Sequence, residues 1–130
     1  DIIHANGTIL EKIDPYNHGQ IEKNVKLEGN IMIGKNTILK SNVKIIGPTI
    51  IGEYCVIDED SVIGPNTSIG NNCNISKCKV SESIIMDNCK IDSNIKIEES
   101  IIAYNSEIIM NYQNTDGKKF LLGEGTKIIF

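Results

Sequence analysis

The sequence predicts an all-β solenoid, and three regularities carry that prediction. Aliphatic residues recur at every sixth position: Ile21, Leu27, Ile33, Leu39, Ile45, Ile51, Ile57, Ile63, Ile69 and Ile75 follow one another without exception. Four residues after each stands a small or β-branched side chain, namely Val25, Ile31, Thr37, Val43, Thr49, Cys55, Ser61, Thr67 and Cys73. Between them lie residues that tolerate unusual dihedrals: Asn24, Asn30, Asn36, Asn42, Asn66 and Asn72 three places after the aliphatic, and Gly34, Gly52, Asp58, Gly64 and Gly70 directly after it. A helix calls for apolar residues at intervals of three and four and a strand for every second one, so a period of six belongs to neither alone. It marks a repeated unit, here a short strand followed by a turn. The composition of 27 isoleucines, 15 asparagines and no tryptophan suits stiff strands joined by tight turns.

The elements follow in chain order. Residues 1–20 fall outside the beat. "DIIHANGTILEKI" sets Ile2, Ile3, Ile9, Leu10 and Ile13 mostly on one helical face, with Asp1 near its start. Gly7 weakens that helix by about 1 kcal/mol against alanine. "DPYNHGQ", with Pro15 and Gly19 as breakers, reads as a linker. From residue 21 to 75 the units are regular. Beyond Ile75 the aliphatics are Val80, Ile85, Ile91, Ile97, Ile102 and Ile108, with some intervals of five and small residues at Cys78, Ser83 and Ser100, as though one turn residue were deleted. The phase breaks at 110–119, "MNYQNTDGKK", a polar loop ending in an Asp-Gly turn signal. "FLLGEGTKIIF" then resumes it through Leu122, Thr126 and Ile128.

This pattern resembles the hexapeptide repeat of left-handed parallel β-helices, whose hand is contrary to the general right-handed crossover rule. The resemblance implies that three hexapeptides complete a triangular coil and that residues eighteen apart stack. Coils then begin near residues 21, 39, 57, 75, 91 and 108. Five to six rungs at ~4.8 Å make a prism roughly 25 Å tall. The aliphatics and the small residues four places on point inward, and the residue before each aliphatic points outward. One outer face carries Lys26, Lys44, Val62, Lys79 and Lys96, and a second carries Ile38, Val56, Asn74, Lys90 and Glu107. The third carries Met32, Ile50, Ser68, Ile84, Ile101 and Leu121. An apolar stripe of that length marks an interface. Met32, Ile50, Ile84, Ile101 and Leu121 are therefore the candidate oligomer contacts, with a trimer expected from the fold resembled.

Composition excludes several function classes. A net charge of -4 leaves no electrostatic footprint for nucleic acid, and all 13 basic residues are lysines, so a bidentate arginine clamp is absent. No apolar run is long enough for a membrane span and no secretory signal is visible, so a cytoplasmic location is expected. Four cysteines are then expected as thiols. Cys55, Cys73 and Cys89 fall in one inward column with Thr37, Ser106 and Thr126, without the short pairs that metal sites favour. His4 and His18 both precede the repeat. "GEGTK" at 123–127 lacks the spacing of a phosphate loop, and "DED" at 58–60 reads as a turn.

"IIGPTIIGEYCVI" (45–57) with "SVIGPNTSIGNNCNI" (61–75), "VSESIIMDNCKI" (80–91), "IEESIIAYNSEI" (97–108) and "LLGEGTKI" resemble the C-terminal β-helix of long-form glucose-1-phosphate thymidylyltransferases and related sugar-1-phosphate nucleotidyltransferases. "DIIHANGTIL" is similar to the helix that closes their catalytic domain. The resemblance implies a domain order of helix and linker at 1–20 and β-helix at 21–130. Beginning at Asp1 without methionine, the chain is expected to be a piece of a longer protein whose own nucleotidyltransferase domain precedes it. That parent is expected to join dTTP and glucose 1-phosphate with magnesium. The catalytic motifs of such enzymes do not occur here, so no catalytic, cofactor-binding or metal residue carries over and no cofactor is expected for this chain. Two other readings stand beside this one: a hexapeptide-repeat acyltransferase domain, whose histidine base would have to come from His18, and a regulatory ligand-binding module.

Overall fold

The computed structural model describes residues 16–109, with strands at 117–118, 121–122 and 127–129. Three parallel sheets form the sides of the solenoid, and consecutive strands pass from one sheet to the next. The first sheet stacks Tyr16–Asn17, Ile31–Ile33, Thr49–Ile51, Thr67–Ile69, Ile84–Ile85, Ile101–Ile102 and Leu121–Leu122. The second stacks Gln20–Ile21, Ile38–Leu39, Val56–Ile57, Asn74–Ser76, Lys90–Asp92, Glu107–Ile109 and Lys127–Ile129. Lys26–Glu28, Lys44–Ile46, Val62–Ile63, Lys79–Ser81, Lys96–Glu98 and Gly117–Lys118 make the third. We call them the apolar, mixed and lysine sheets after their outward residues. The register stacks aliphatic on aliphatic, as in Leu39↔Ile57, Ile45↔Ile63 and Ile33↔Ile51. The all-β solenoid expected from the period of six is the structure observed.

Ile33, Leu39, Ile45, Ile57, Ile63, Ile75, Ile97, Ile102 and Ile108 are fully buried inside the prism. Each such side chain contributes roughly 1.5–3 kcal/mol by leaving water. The small residues share the interior because the coil narrows at its corners, and their polar atoms find carbonyls there. Thr37 Oγ1 donates to Gly52 O at 2.6 Å, Thr49 Oγ1 to Ile46 O at 2.6 Å, and Ser100 Oγ to Glu98 O at 2.7 Å. Burying those hydroxyls unpaired would cost about 1–3 kcal/mol each. Such a cost falls on Ser61 and Ser93, whose buried Oγ atoms have no partner.

Almost every corner turns on one residue with positive φ. In the six-residue units it stands three places after the aliphatic: Asn24, Asn36, Asn42, Tyr54, Asp60, Asn66 and Asn72, all with φ between 55° and 66°. In the five-residue units it moves up one place, to Lys77, Glu82 and Glu99. The shortened corners therefore keep the left-handed residue and drop a neighbour. Asn30 departs from the asparagine expectation, since Gly29 takes the positive φ of that corner at 85°. Gly64 has φ of 102°, and a Cβ there would run into the Ile46 carbonyl oxygen.

The expected helix near the N-terminus lies outside the described residues. Tyr16–Asn17 and Gln20 were expected as linker, yet Tyr16–Asn17 pairs in parallel with Met32–Ile33 and Gln20 with Ile38, so strand pairing begins at Tyr16 rather than Ile21. Gly117–Lys118, inside the expected loop, pairs with Lys96–Ile97. The rest of that loop, residues 110–116 and 119, lies outside the described residues.

Candidate functional site

The outward column of the apolar sheet assembles from one residue per rung. The register Met32↔Ile50, Ile50↔Ser68, Ser68↔Ile84 and Ile84↔Ile101 puts four of the five expected contact residues with Ser68 in a single file. All five side chains of the file are partly exposed. Leu121 takes the next register position after Ile101, and its side chain lies outside the described residues. Tyr16 takes the position before Met32.

The two edges of the file differ in what flanks it. Gly34, Gly52 and Gly70 line one edge, succeeded by Met86 and Ala103 in the same position after the inward aliphatic. A Cβ on Gly52 would meet Asn71 Oδ1, and one on Gly70 would meet Asp87 Oδ1. Those two side chains fold over the rung above, where Asn71 Oδ1 accepts the Glu53 N–H at 2.8 Å and Asp87 Oδ1 accepts the Asn71 N–H at 2.9 Å. The backbone beneath is held by N–H groups of Gly34, Gly52, Gly70 and Met86 donating to Ile51, Ile69, Ile85 and Ile102. Asn30, Pro48 and Asn66 border the other edge, succeeded by Glu82 and Glu99 in the same position before the inward small residue. Glu82 Oε1 accepts from Asn66 Nδ2 at 2.9 Å on that edge, Asp87 reaches over the glycine edge at Gly70, and Lys35 and Glu53 lie beyond it. The sequence signal for the glycine edge was visible, but it reads equally well as turn chemistry; only the register turns it into the rim of a flat face.

The lysine sheet is the opposite surface. Lys26 sits beside Lys44, and Lys79 beside Lys96, with Val62 between the pairs. Like charges placed directly opposite across strands are mildly unfavourable, and Lys44 offsets part of this through Glu28 at 3.9 Å. Two open grooves of about 510 and 300 Å³ run over this sheet, lined by Lys26, Lys44 and Asn42 and by Lys79, Lys96, Ser81 and Glu98. The mixed sheet presents Ile38 and Val56 near one end and Lys90 and Glu107 near the other.

The residues with potential chemistry are dispersed or enclosed. Cys55, Cys73, Cys78 and Cys89 are free and buried. Three of them stack, and each thiol donates to a carbonyl of the next rung: Cys55 to Gly70 O at 3.0 Å, Cys73 to Met86 O and Cys89 to Ala103 O at 3.1 Å. Hydrogen bonding with the neighbouring thiols of Cys55 and Cys89, together with burial, pushes the Cys73 thiol well above its usual range. Burial, with a smaller contribution from the Asp92 carboxylate, pushes Cys78 up to about 12. Such thiols are poor nucleophiles and poor ligands. Among the described residues no group of three or more His, Cys, Asp or Glu is arranged to hold a metal ion. No helix of the described residues is long and apolar enough to cross a membrane. His18 is exposed at the corner after Tyr16–Asn17, its N–H donating to Ile33 O at 2.9 Å, and His4 lies outside the described residues. The acidic run at 58–60 is a corner: Asp58 Oδ1 accepts the Glu59 N–H at 2.9 Å and Asp60 has φ of 65°.

Among solved structures, a Bacillus cereus protein assigned as an acetyltransferase, the BC4754 product, is 18% identical over 85% of this chain and 69% of its own, with a TM-score of 0.47. A hexapeptide transferase family protein from Anaplasma phagocytophilum is 17% identical over the same shares, with a TM-score of 0.32. No curated protein matches the sequence. The family model described as the GMPPB C-terminal domain matches residues 45–128, well over half of the chain. The chain belongs to that family, a hexapeptide-repeat left-handed β-helix of nucleotidyltransferases.

Proposed function

We propose that this chain is the non-catalytic, self-associating C-terminal domain of a sugar-1-phosphate nucleotidyltransferase. One observation carries the reading: the outward file Met32, Ile50, Ser68, Ile84 and Ile101 is in register, apolar at four of five positions, and lined along one edge by Gly34, Gly52 and Gly70. A face of that kind gains by being covered, and burying each of its aliphatics adds roughly 1.5–3 kcal/mol. Three copies related by a threefold axis parallel to the prism would cover it on every protomer, which closes the assembly without leaving a free apolar edge. Leu121 would extend the contact by one rung.

In this reading catalysis and magnesium belong to the nucleotidyltransferase domain of the parent protein, and the β-helix holds such domains together. The segments at 45–57, 61–75, 80–91 and 97–108 support thymidylyl transfer to glucose 1-phosphate as the parent reaction. Free, buried thiols suit a reducing compartment, the cytoplasm.

Size-exclusion chromatography with light scattering tests the proposal. Wild type should elute at a multiple of 14.3 kDa, and Ile50→Lys with Ile84→Lys at 14.3 kDa with unchanged β-sheet circular dichroism. A wild type that stays at 14.3 kDa at high concentration overturns it.

A further inference from the structure

A threefold ring needs a second patch that the outward file does not supply. Such a ring closes through heterologous contacts, in which one surface of a copy meets a different surface of its neighbour. Both neighbours of a copy lie on its axial side, so the two patches flank one corner of the prism. The file Met32, Ile50, Ser68, Ile84 and Ile101 is the first patch. Two corners border it, and they lead to different sheets. Beyond Pro48, Glu82 and Glu99 lies the lysine sheet. Its outward Lys26, Lys44, Lys79 and Lys96 would be buried against a file that holds no carboxylate, which is costly. Beyond Gly34, Gly52 and Gly70 lies the mixed sheet, where Ile38 and Val56 stand outward in register and half-buried. Met32 and Ile38 belong to consecutive strands, as do Ile50 and Val56, so apolar surface continues round this corner over two rungs. The charges on those rungs of the corner, Lys35 and Glu53, are opposite in sign.

The corner carries an anomaly at the same height. One left-handed residue turns it on each rung: Asn36, Tyr54, Asn72, Asn88 and Asn105, with φ between 58° and 62°. Asparagine enters that region readily, whereas a bulky tyrosine is strained there. Tyr54 is also 54% exposed. Its backbone N–H donates to Lys35 O at 3.1 Å, and among the described residues its hydroxyl has no hydrogen bond that would offset either cost. A strained residue retained without internal compensation points to function, and tyrosine is a residue type that anchors protein contacts.

We propose that Ile38, Tyr54 and Val56 form the second association patch, which in the ring covers the outward file of the next copy, with the Tyr54 ring as its anchor. The inference rests on the association face proposed above and names the surface that meets it.

Light scattering on the full chain, with variants alone and mixed, tests the patch. Lysine at positions 38 and 56 is compatible with the fold, because Lys90 already occupies that column. Ile38→Lys with Val56→Lys should be monomeric alone, as should Ile50→Lys with Ile84→Lys. Mixed at high concentration, they should form a one-to-one pair, the intact file of the first against the intact patch of the second. Tyr54→Asn should weaken association by about tenfold or more. In the Ile50→Lys/Ile84→Lys background, where association no longer adds to stability, the same change should raise the denaturation midpoint. A residue with a merely structural role would not move the two readouts in opposite directions. Three results overturn the patch while leaving the file standing: an Ile38→Lys/Val56→Lys variant that associates like wild type, variants that stay apart when mixed, or Tyr54→Asn with unchanged association. Wild type that stays monomeric at high concentration overturns file and patch together.

Discussion

The apolar sheet and the lysine sheet share one interior and differ in one residue per rung. Inside, both present fully buried isoleucines: Ile33 and Ile102 on the first, Ile45, Ile63 and Ile97 on the second. Outside, Met32, Ile50, Ile84 and Ile101 face Lys26, Lys44, Lys79 and Lys96 across the prism. Both are parallel stacks of two- and three-residue strands, so the contrast lies in the outward side chains. Stability resides in the inward columns, and in the proposed function association is assigned to a single outward one.

The largest expected effect would erase the distinction between the sheets. Ile51→Asp on the apolar sheet and Ile63→Asp on the lysine sheet each bury a carboxylate with no partner and should cost more than about 4 kcal/mol. Chemical denaturation should show both variants unfolded or nearly so. If one sheet tolerated the change, the shared interior would be the wrong picture.

The next effect separates the sheets. Ile50→Lys with Ile84→Lys should weaken self-association by about 100-fold or more, because uncompensated charges would be buried at the contact. Lys79→Ala with Lys96→Ala should leave assembly unchanged when followed by light scattering.

A pH titration probes the interior that both sheets enclose. Cys78 is pushed up to about 12, so its folded pKa exceeds the unfolded value of 9.0. The thiol therefore contributes stability that is fully present below pH 9.0 and is lost as pH rises toward about 12. The loss approaches about 1.4 kcal/mol per pH unit. Melting curves of wild type should fall more steeply across that window than those of Cys78→Ala.

Smaller still is the effect at a corner. Tyr54 is exposed and holds φ of 58°, where most corners of this kind use asparagine. Tyr54→Asn should raise stability by about 0.5–1 kcal/mol by relieving left-handed strain, read as a higher denaturation midpoint.

How much of this was legible depends on whether a position advertises itself. The recurring aliphatics mark the residue that precedes each of them, and the three-sided coil implied by the family resemblance sorts those residues into outward columns, including Met32 through Ile101. The first rung hides because its inward position opposite Ile33 is Asn17, and a polar residue there leaves no beat to detect. Lys118 opposite Ile97 conceals the strand at 117–118 for the same reason. Lys77, Glu82 and Glu99 take left-handed φ although their residue types give no hint of it; the shortened spacing imposes that conformation. The exposure of Ile21 and Leu27 was not legible either, since the pattern marks both as interior, yet their strands are terminal in their sheets among the described residues.

Residue-level footprinting tests the central claim most directly. Hydroxyl radicals should modify Met32, Ile50, Ile84 and Ile101 in dilute protein, and lose access to them as concentration rises. Acetylation of Lys44, Lys79 and Lys96 should stay constant over the same range. Labelling of the aliphatic file that is indifferent to concentration, or lysines that become protected in its place, would contradict the account.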